Sequence, residues 1–418
     1  MSITFGRFTD AFKPKAKIDK WSECDKLYTE KNYLQAYDAF FEYLKSDEAD
    51  NVFCTMENGM LTFQLIQGSK EIRGYCDGKK VSAMAVIAGY EKANVAAFRR
   101  LMEMNYTLYY SRYAVKDNKI ALKFDSSVLD CSPGKLYYGL KELATRADKQ
   151  DDILLSEFKT LINAEAKAEY YSNEESALMV KYYRKWISDT LQRVSGMNHE
   201  QMSGGISYIY LNLLYKLDYF LIPQGTILSD IERMSWAYFN DKDLPVLQKI
   251  NNLEEDFKKL LAYDDEKVKS NFYKTKGTFG IVPPTGKQGV DDVINNNINN
   301  IKWYVDNNHP EIAMNILEYI SGYTLFTYGL NVSLRKLLGL LMRIINSDFV
   351  LEINGDAGLT MNDVPNRDMI VKEFNEYISL DKGEYPEIVL NYENIKFDTK
   401  FNFVKTTIEE ILKLNYKN

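Results

Sequence analysis

Hydrophobic and polar residues alternate along short runs near the start of the chain, and this alternation predicts β-strands. Residues 52–56 and 61–66 form two such runs on either side of the Asn-Gly pair at 58–59. Asparagine and glycine both accept a positive φ, so this pair favours the type I′ turn whose twist matches a β-hairpin. The pattern therefore predicts a two-stranded hairpin over residues 52–66.

Further strands are predicted downstream by the same two signals, alternation and turn residues. The Asp-Gly pair at 77–78 precedes an apolar run at residues 81–87. Residues 106–115 and 119–124 then flank another short turn and form a second β pair. Because strands joined by short turns run in opposite directions, these segments predict one antiparallel sheet.

Apolar residues at helical spacing predict helices around this sheet. Residues 33–44 carry an apolar stripe, and Asn94 is suited to cap a helix over residues 95–104. The Ser-Pro pair at 132–133 predicts another helix start, with proline at its first position. The Asp pair at 151–152 predicts the start of a further helix. An antiparallel sheet flanked by helices is an α+β domain.

After about residue 164 the pattern changes from alternation to helical periodicity. Residues 208–217 are apolar on most sides, which is typical of a buried helix. Residues 294–305 and 334–345 each carry an apolar stripe at helical spacing. The second part of the chain is therefore predicted to be mainly α-helical.

Two longer segments interrupt this helical part, at residues 274–289 and 354–365. The first contains four glycines and two adjacent prolines, and loops of this length are often functional or mobile. We therefore predict that residues 274–289 are exposed and mobile. Near the end of the chain, residues 387–392 and 394–397 predict short strands, and residues 405–414 predict a last helix.

The predicted organisation has three parts: an N-terminal extension over residues 1–30, an α+β domain over residues 31–163 and an α-helical domain over residues 164–418. In the extension, residues 5–12 carry three phenylalanines at helical spacing, and Pro14 is expected to end that helix. We expect these rings to dock on the core of the protein itself.

Charge and hydropathy argue against a nucleic-acid partner and against a transmembrane segment. The chain of 418 residues has a formal net charge of −7, without the basic bias that neutralises phosphates, so nucleic acid is not an expected partner. The longest apolar segment, residues 325–345, contains Asn331, Arg335 and Lys336. Because charges at mid-span are costly in lipid, we expect no transmembrane segment.

The four cysteines indicate the compartment of the protein. They form no C-x-x-C pair and no zinc-binding spacing, so we interpret them as small buried residues in a reducing environment. The N-terminus has no apolar stretch of the kind found in secretory signals. These features predict a cytoplasmic protein. The cysteines are Cys24, Cys54, Cys76 and Cys131.

Motifs that could carry chemistry are weak in this chain. Between Gly280 and Gly286-Lys287 lie five residues, two of them prolines, whereas a Walker A loop has four residues and ends in Lys-Ser or Lys-Thr. A Ser-x-x-Lys match at residues 333–336 has no companion motif. The two histidines, at 199 and 309, stand beside expected helix boundaries. We therefore predict no catalytic residues, no bound metal and no cofactor.

The order of elements over residues 32–160 resembles the type III secretion chaperone-like fold, which also occurs in bacterial proteins described as putative sensory transduction regulators. The resemblance includes a helix ending Phe98-Arg-Arg-Leu101-Met-Glu-Met-Asn105, followed by a strand, a turn, a strand and a helix. It covers about a third of the chain. A helical part of more than 250 residues departs from that fold group.

The resemblance implies a protein that binds polypeptides, as chaperone, adaptor or regulator, and that could form a homodimer. Candidate contact residues are the tyrosines of the second β pair: Tyr106, Tyr109, Tyr110 and Tyr113. On a strand, Tyr109 and Tyr113 would share one face. Two alternatives stay open: an enzyme or small-ligand binder with a site between the domains near residues 274–289, and a structural module of a larger assembly. A further alternative is that the tyrosines seal the interface between the domains.

Overall fold

The computed structural model describes residues 3–163, 169–355 and 358–416. Within it the chain forms two compact units. The α+β unit consists of Phe8–Tyr170 and Tyr273–Ile281, and the helical unit consists of Met1–Arg7, Tyr171–Phe272 and Val282–Asn418. The predicted boundary at residue 164 lies outside the described residues. The predicted extension is divided between both units, and residues 273–281 join the α+β unit.

The α+β unit contains an antiparallel sheet flanked by helices, as the sequence predicts. Its helices are α1 (Lys15–Thr29), α2 (Tyr33–Leu44), α3 (Val95–Asn105) and α4 (Pro133–Glu157). Its strands are β1 (Val52–Glu57), β2 (Met60–Gln67), β3 (Lys70–Cys76), β4 (Lys80–Tyr90), β5 (Ser111–Lys116), β6 (Lys119–Ser127), β7 (Leu161–Asn163), β8 (Glu169–Tyr170) and β9 (Tyr273–Lys274).

The main sheet has the strand order β1-β2-β3-β4-β6-β5, and β7 pairs with the end of β4. Turn chemistry sets the register of its hairpins. Asn58 and Gly59 have φ values of 51° and 77°, and Asp117 and Asn118 have φ values of 50° and 57°. Both pairs therefore form turns with two consecutive positive φ values, which confirms the predicted hairpins.

One face of this sheet forms the core of the unit. Alternate residues of β2 are buried, and the Phe63 ring stacks on Phe41 of α2 with 4.4 Å between centroids. Helix α4 covers the same core through an apolar stripe that includes Leu136, Leu140 and Leu143. The helix starts were predicted correctly, because the Asn94 and Ser132 side chains accept hydrogen bonds from the first turns of α3 and α4.

Three predicted elements of the α+β unit differ in the structure. Residues 5–12 are not helical, and Pro14, which lacks an N–H, instead directly precedes α1. Residues 151–152 do not start a helix but lie inside α4. Strand β5 begins only at Ser111, because the Glu142 carboxylate accepts from the backbone N–H groups of Tyr109 and Tyr110 that precede it.

The segment at residues 274–289 is not an exposed loop throughout. Thr278 and Phe279 are 1% and 3% exposed within the α+β unit. The Thr278 hydroxyl donates to the Ile66 carbonyl over 2.9 Å, and Phe279 packs edge-on against Tyr137. The prediction of exposure is therefore wrong for this stretch. The stretch buries an aromatic ring, and its backbone groups form hydrogen bonds with β2.

The helical unit has eleven helices in its described residues, and α6 lies at its centre with 15 of its residues buried. They are α5 (Asn173–Ser195), α6 (Ser203–Leu221), α7 (Gly225–Asn240), α8 (Val246–Leu261), α9 (Asp265–Ser270), α10 (Lys287–Asp306), α11 (Pro310–Thr327), α12 (Val332–Ile345), α13 (Ser347–Asn354), α14 (Arg367–Asp381) and α15 (Lys400–Ile411).

Two predictions for the end of the chain need correction. Residues 387–392 and 394–397 form no strands; the side chain of Asn391 accepts from the N–H of Glu393 and starts a single 3₁₀ turn instead. The predicted loop at 354–365 contains a small hairpin of β10 (Thr360–Met361) and β11 (Val364–Pro365). Residues 356–357 of that loop lie outside the described part.

Candidate functional site

Three of the four candidate tyrosines lie in the connection between α3 and β5, not on a strand. Tyr106 and Tyr109 are 94% and 91% exposed, and Tyr110 is 39% exposed. Tyr113 alone lies on β5, where it is 8% exposed and belongs to the core. The structure therefore separates Tyr109 from Tyr113 instead of placing them on one face of a strand.

A single carboxylate holds this connection, which we call the tyrosine connection (residues 106–110). Glu142 of α4 accepts hydrogen bonds from the backbone N–H groups of Tyr109, Tyr110 and Ser111, over 2.7, 2.9 and 2.7 Å. The Ser111 hydroxyl donates to the same carboxylate over 2.7 Å. Burial alone would raise the pKa of Glu142, but these hydrogen bonds outweigh it and lower that pKa.

The other end of the tyrosine connection is held by α3. The Tyr106 N–H donates to the Glu103 carbonyl over 3.1 Å, which continues the helix by one turn. The Asn105 side chain accepts from the N–H of Tyr113 over 2.8 Å. The backbone that carries both exposed rings is therefore held at each end. Little further conformational entropy of this backbone is lost when the rings bind a partner.

Two basic side chains lie near Tyr113, on the strand that follows this connection. Arg100 of α3 is half exposed and lies 3.6 Å from the Glu103 carboxylate, and Arg146 of α4 lies one helical turn from Glu142 and forms no ion pair with the described residues. Burial raises the pKa of Tyr113, and the charges of Arg146 and Arg100 oppose that shift, so both guanidinium groups lie near this strand. The Glu142 charge also acts on Tyr113, so the charges near this strand are of both signs.

The sheet presents a second exposed surface on its outer face. Its residues are in register across six strands, and Phe53 and Met84 are 45% and 46% exposed. Strand β1 pairs only with β2 in the described part of the chain, so its outer edge is unpaired. The central row of this face is Phe53, Gln64, Arg73, Met84, Lys123 and Arg112.

A cluster of ionisable groups is buried elsewhere in the same unit. The Lys70 ammonium of β3 lies 2.7 Å from Asp151 of α4, and their side chains are 1% and 3% exposed. The Ser69 hydroxyl donates to Asp151 over 2.8 Å, and the Ser69 N–H donates to Asp148 over 2.9 Å. Tyr273 of β9 donates to Asp152 over 2.9 Å. The cluster therefore ties β3, α4 and the segment at 273–281 together.

Burial dominates the acid–base behaviour of this cluster. It raises the pKa of Asp148 to about 8, with the Asp151 charge adding to the effect. It also raises the pKa of Asp152, to about 6. In the described ranges, no three histidine, cysteine or acidic side chains lie close enough to hold a metal ion.

Side chains of the weak sequence motifs form ion pairs and hydrogen bonds within the structure. The Lys287 ammonium pairs with Asp291 over 2.8 Å and donates to the Leu412 carbonyl over 2.6 Å. The buried Ser333 hydroxyl donates to the Tyr377 carbonyl over 2.7 Å. His309 directly precedes α11. These contacts account for the Lys287 and Ser333 side chains within the helical unit.

The cysteines are unpaired, and three of the four are buried. Burial raises the pKa of Cys24 and Cys54 to about 12 and that of Cys131 to about 11, so these thiols are protonated near neutral pH. Among the residues described, no helix combines the length and apolar character needed to cross a bilayer.

Comparison with protein-family models and a search of curated proteins find no match to this chain.

Proposed function

We propose that this chain is a non-enzymatic, cytoplasmic bacterial protein that binds another polypeptide as chaperone, adaptor or regulator. The observation that carries the proposal is the tyrosine connection. Tyrosines exposed by 94% and 91% leave large amphipathic rings in water, and Glu142 holds the backbone beneath them. Exposed aromatic residues on an ordered backbone are typical of the energetically dominant contacts in protein interfaces.

We further propose that the partner segment is acidic. Arg100 and Arg146 lie near Tyr113, on the strand that follows the tyrosine connection, and the carboxylate of Glu142 is already occupied by backbone N–H groups. An acidic polypeptide segment with apolar side chains would therefore complement this surface. The resemblance to secretion-chaperone-like proteins supports a polypeptide as the ligand.

Selection from a displayed library of random peptides on the immobilised full chain tests this proposal. We expect enrichment of acidic peptides that contain apolar residues, and weaker binding of those peptides to a Tyr106→Ser/Tyr109→Ser variant by about tenfold or more. Its melting temperature should not change, since both rings are exposed. Arg146→Glu should also weaken binding, because it reverses a charge on the surface.

The matched control is Tyr138→Ser, which removes a tyrosine that is 58% exposed on α4. This variant should bind the selected peptides as the unaltered chain does. Equal binding by the double serine variant, or no enrichment of acidic peptides, contradicts the proposal.

A homodimer is a second proposal, and the unpaired edge of β1 favours it. Two copies of β1 could pair side by side and extend the sheet, since an edge strand presents free N–H and C=O groups. Size-exclusion chromatography with light scattering should then show a dimer that Phe53→Lys converts to a monomer, while Met84→Lys, in a central strand, leaves it intact. A monomeric unaltered chain contradicts this pairing.

A further inference from the structure

Residues 3–7, which we call the strap, belong to the helical unit and lie on it without regular secondary structure. Asn354, the last residue of α13, binds both backbone groups of Ile3. Its Oδ1 atom accepts from the Ile3 N–H over 2.7 Å, and its Nδ2 atom donates to the Ile3 carbonyl over 3.0 Å. Because a side-chain amide offers both a donor and an acceptor, it can bind the backbone of an extended segment irrespective of its sequence.

Alternate side chains of the strap pack on the helical unit. Ile3 is 6% exposed, whereas the Thr4 side chain faces solvent. The Phe5 ring lies 5.1 Å from the Phe220 ring and 5.7 Å from the Phe349 ring, measured between centroids. This period of two is that of an extended chain, so the strap is bound as an extended peptide.

The end of α6 supplies an acceptor for the next strap residue. The Tyr219 carbonyl loses its usual donor in the helix, because the residue four positions later is Pro223, which has no N–H. It accepts instead from the Gly6 N–H over 2.8 Å. Gly6 has a φ of 84°, and a Cβ atom there would lie 3.0 Å from the Tyr219 ring. This position therefore favours glycine.

Arg7 binds a buried carboxylate at the same end of α6. Its Nε atom lies 2.6 Å from Asp218 Oδ1, and the Asp218 side chain is 5% exposed. The guanidinium also donates to the Pro223 carbonyl over 2.5 Å. The carbonyl end of a helix attracts cations, and a buried carboxylate left without its cation is strongly unfavourable. The occupant of this position must therefore carry a positive charge.

We propose that the groove formed by α6, Pro223 and α13 binds an extended segment of another polypeptide, with the order aliphatic residue, any residue, aromatic residue, glycine and arginine. The strap occupies the groove as an intramolecular competitor. A partner segment of this order can form every contact described above, because the groove binds backbone groups, two apolar side chains and one cation. A tethered strap competes at an effective concentration of about millimolar, so the partner gains access when the strap is displaced.

This groove differs from the tyrosine connection in location and in the charge that it binds. It lies in the helical unit and requires a basic segment, whereas the segment proposed for the tyrosine connection is acidic. The two proposals are therefore tested with different peptides and different variants, and either can fail without the other.

A capped peptide with the sequence of residues 3–8, Ile-Thr-Phe-Gly-Arg-Phe, tests the groove on the full chain by fluorescence polarisation. Phe5→Ser/Arg7→Gln removes the strap contacts of the ring and the cation. We expect this variant to bind the peptide at least about tenfold more tightly than the unaltered chain does, since its strap competes less. Thr4→Ala, the matched control, alters an exposed strap residue and should bind as the unaltered chain does.

Altered peptides assign the binding to the groove. A peptide with glutamine in place of arginine should bind the strap variant about tenfold more weakly or worse, because it loses the charge-assisted hydrogen bond to Asp218. Adding Asp218→Asn to the strap variant should remove most of this difference. A peptide with alanine in place of glycine should also bind more weakly.

Hydrogen exchange of the unaltered chain gives a readout that does not depend on folding of the variant. Excess peptide should accelerate exchange of the Gly6 N–H, because it prevents the displaced strap from rebinding. Unchanged exchange there, equal binding by the strap variant and the unaltered chain, or equal affinity for the arginine and glutamine peptides would overturn the proposal. A dimer of the unaltered chain that Arg7→Gln abolishes would also overturn it, because the occupant would then be a second copy.

Discussion

Gly68 shows how a single residue determines a turn of the α+β unit. It lies between β2 and β3 with a φ of 57°, and a Cβ atom there would lie 1.7 Å from Asp148 Oδ1. Both the backbone conformation and the carboxylate beside it therefore require glycine. Gly59 has a similar φ of 77° but no atom within 4 Å of the position of a Cβ.

Gly68→Ala should destabilise the protein more than Gly59→Ala. Each substitution strains the left-handed backbone by about 1–2 kcal/mol, and only the first also forces Asp148 to move. Urea denaturation of both variants measures the difference in the free energy of unfolding. Equal losses in the free energy of unfolding would show that the Asp148 carboxylate moves aside without an energetic penalty.

Asp148 also predicts a pH dependence of stability. Its pKa is about 8 in the folded chain against an ordinary value of 3.8, so the folded state holds this proton more tightly than the unfolded state. The resulting stabilisation is present at low pH and is lost as the pH rises through about 8. We expect the free energy of unfolding to decrease from about pH 4 to about pH 8, between the unfolded and folded pKa values, and to level off at higher pH.

Asp148→Asn should remove most of that decrease, since asparagine has no proton to lose and can still accept from the Ser69 N–H. Urea denaturation at several pH values measures the effect. Asp130→Asn, at an exposed position, is the control and should keep the pH dependence of the unaltered chain. If the free energy of unfolding still decreases with pH in Asp148→Asn, the decrease is due to other titratable groups.

At the scale of elements, α4 determines where β5 begins. The helix continues through residues 151–152 because Asp151 pairs with Lys70 inside the core. The same helix places Glu142 where it accepts the N–H groups of residues 109–111. These N–H groups therefore bond to a side chain instead of to another strand, and the predicted strand at 106–115 is shortened.

Glu142→Gln should loosen the tyrosine connection. A glutamine offers one acceptor oxygen, so its amide group would face at least one backbone N–H that now donates to the carboxylate. We expect faster amide hydrogen exchange at residues 109–111 and a loss of about 1–3 kcal/mol in stability. Exchange measured by mass spectrometry should not change at these residues in Glu103→Gln, an exposed control.

At the scale of the whole molecule, the chain leaves the α+β unit after Tyr170 and returns to it at Tyr273. The returning segment adds β9, and its buried Thr278 bonds to residues more than 200 positions earlier in the chain. The α+β unit is therefore completed by a segment that the sequence places within the helical part.

Phe279→Ala should destabilise the protein by about 3–5 kcal/mol, because it removes a buried ring that packs against Tyr137. Denaturation measures this loss, and limited trypsin digestion should show faster cleavage after Lys276 as the segment detaches. Ile281→Ala is the control, since that side chain is 65% exposed and its loss should have little effect. Rapid cleavage after Lys276 in the unaltered chain would contradict a packed segment.

The sequence by itself determined the features that depend on neighbouring residues. The turns at 58–59 and 117–118, the caps at Asn94 and Ser132, and the periodicity of α6 and α12 all follow from local backbone preferences and side-chain spacing. Together they were sufficient for the fold class. The four tyrosines within residues 106–113 also mark, in the sequence, the connection that carries the proposed site.

Tertiary structure alone decided what depends on residues far apart in the chain. Glu142 sets the exposure of Tyr109 from 33 positions away, and Lys70 and Asp151 pair across 81 positions. The sequence predicts a loop at residues 273–281, because glycine and proline disfavour regular structure. In the structure, the buried part of this segment lies against a surface formed by β2 and α4. No local pattern encodes such contacts, because the partner lies outside any sequence window in which periodicity or turn chemistry acts.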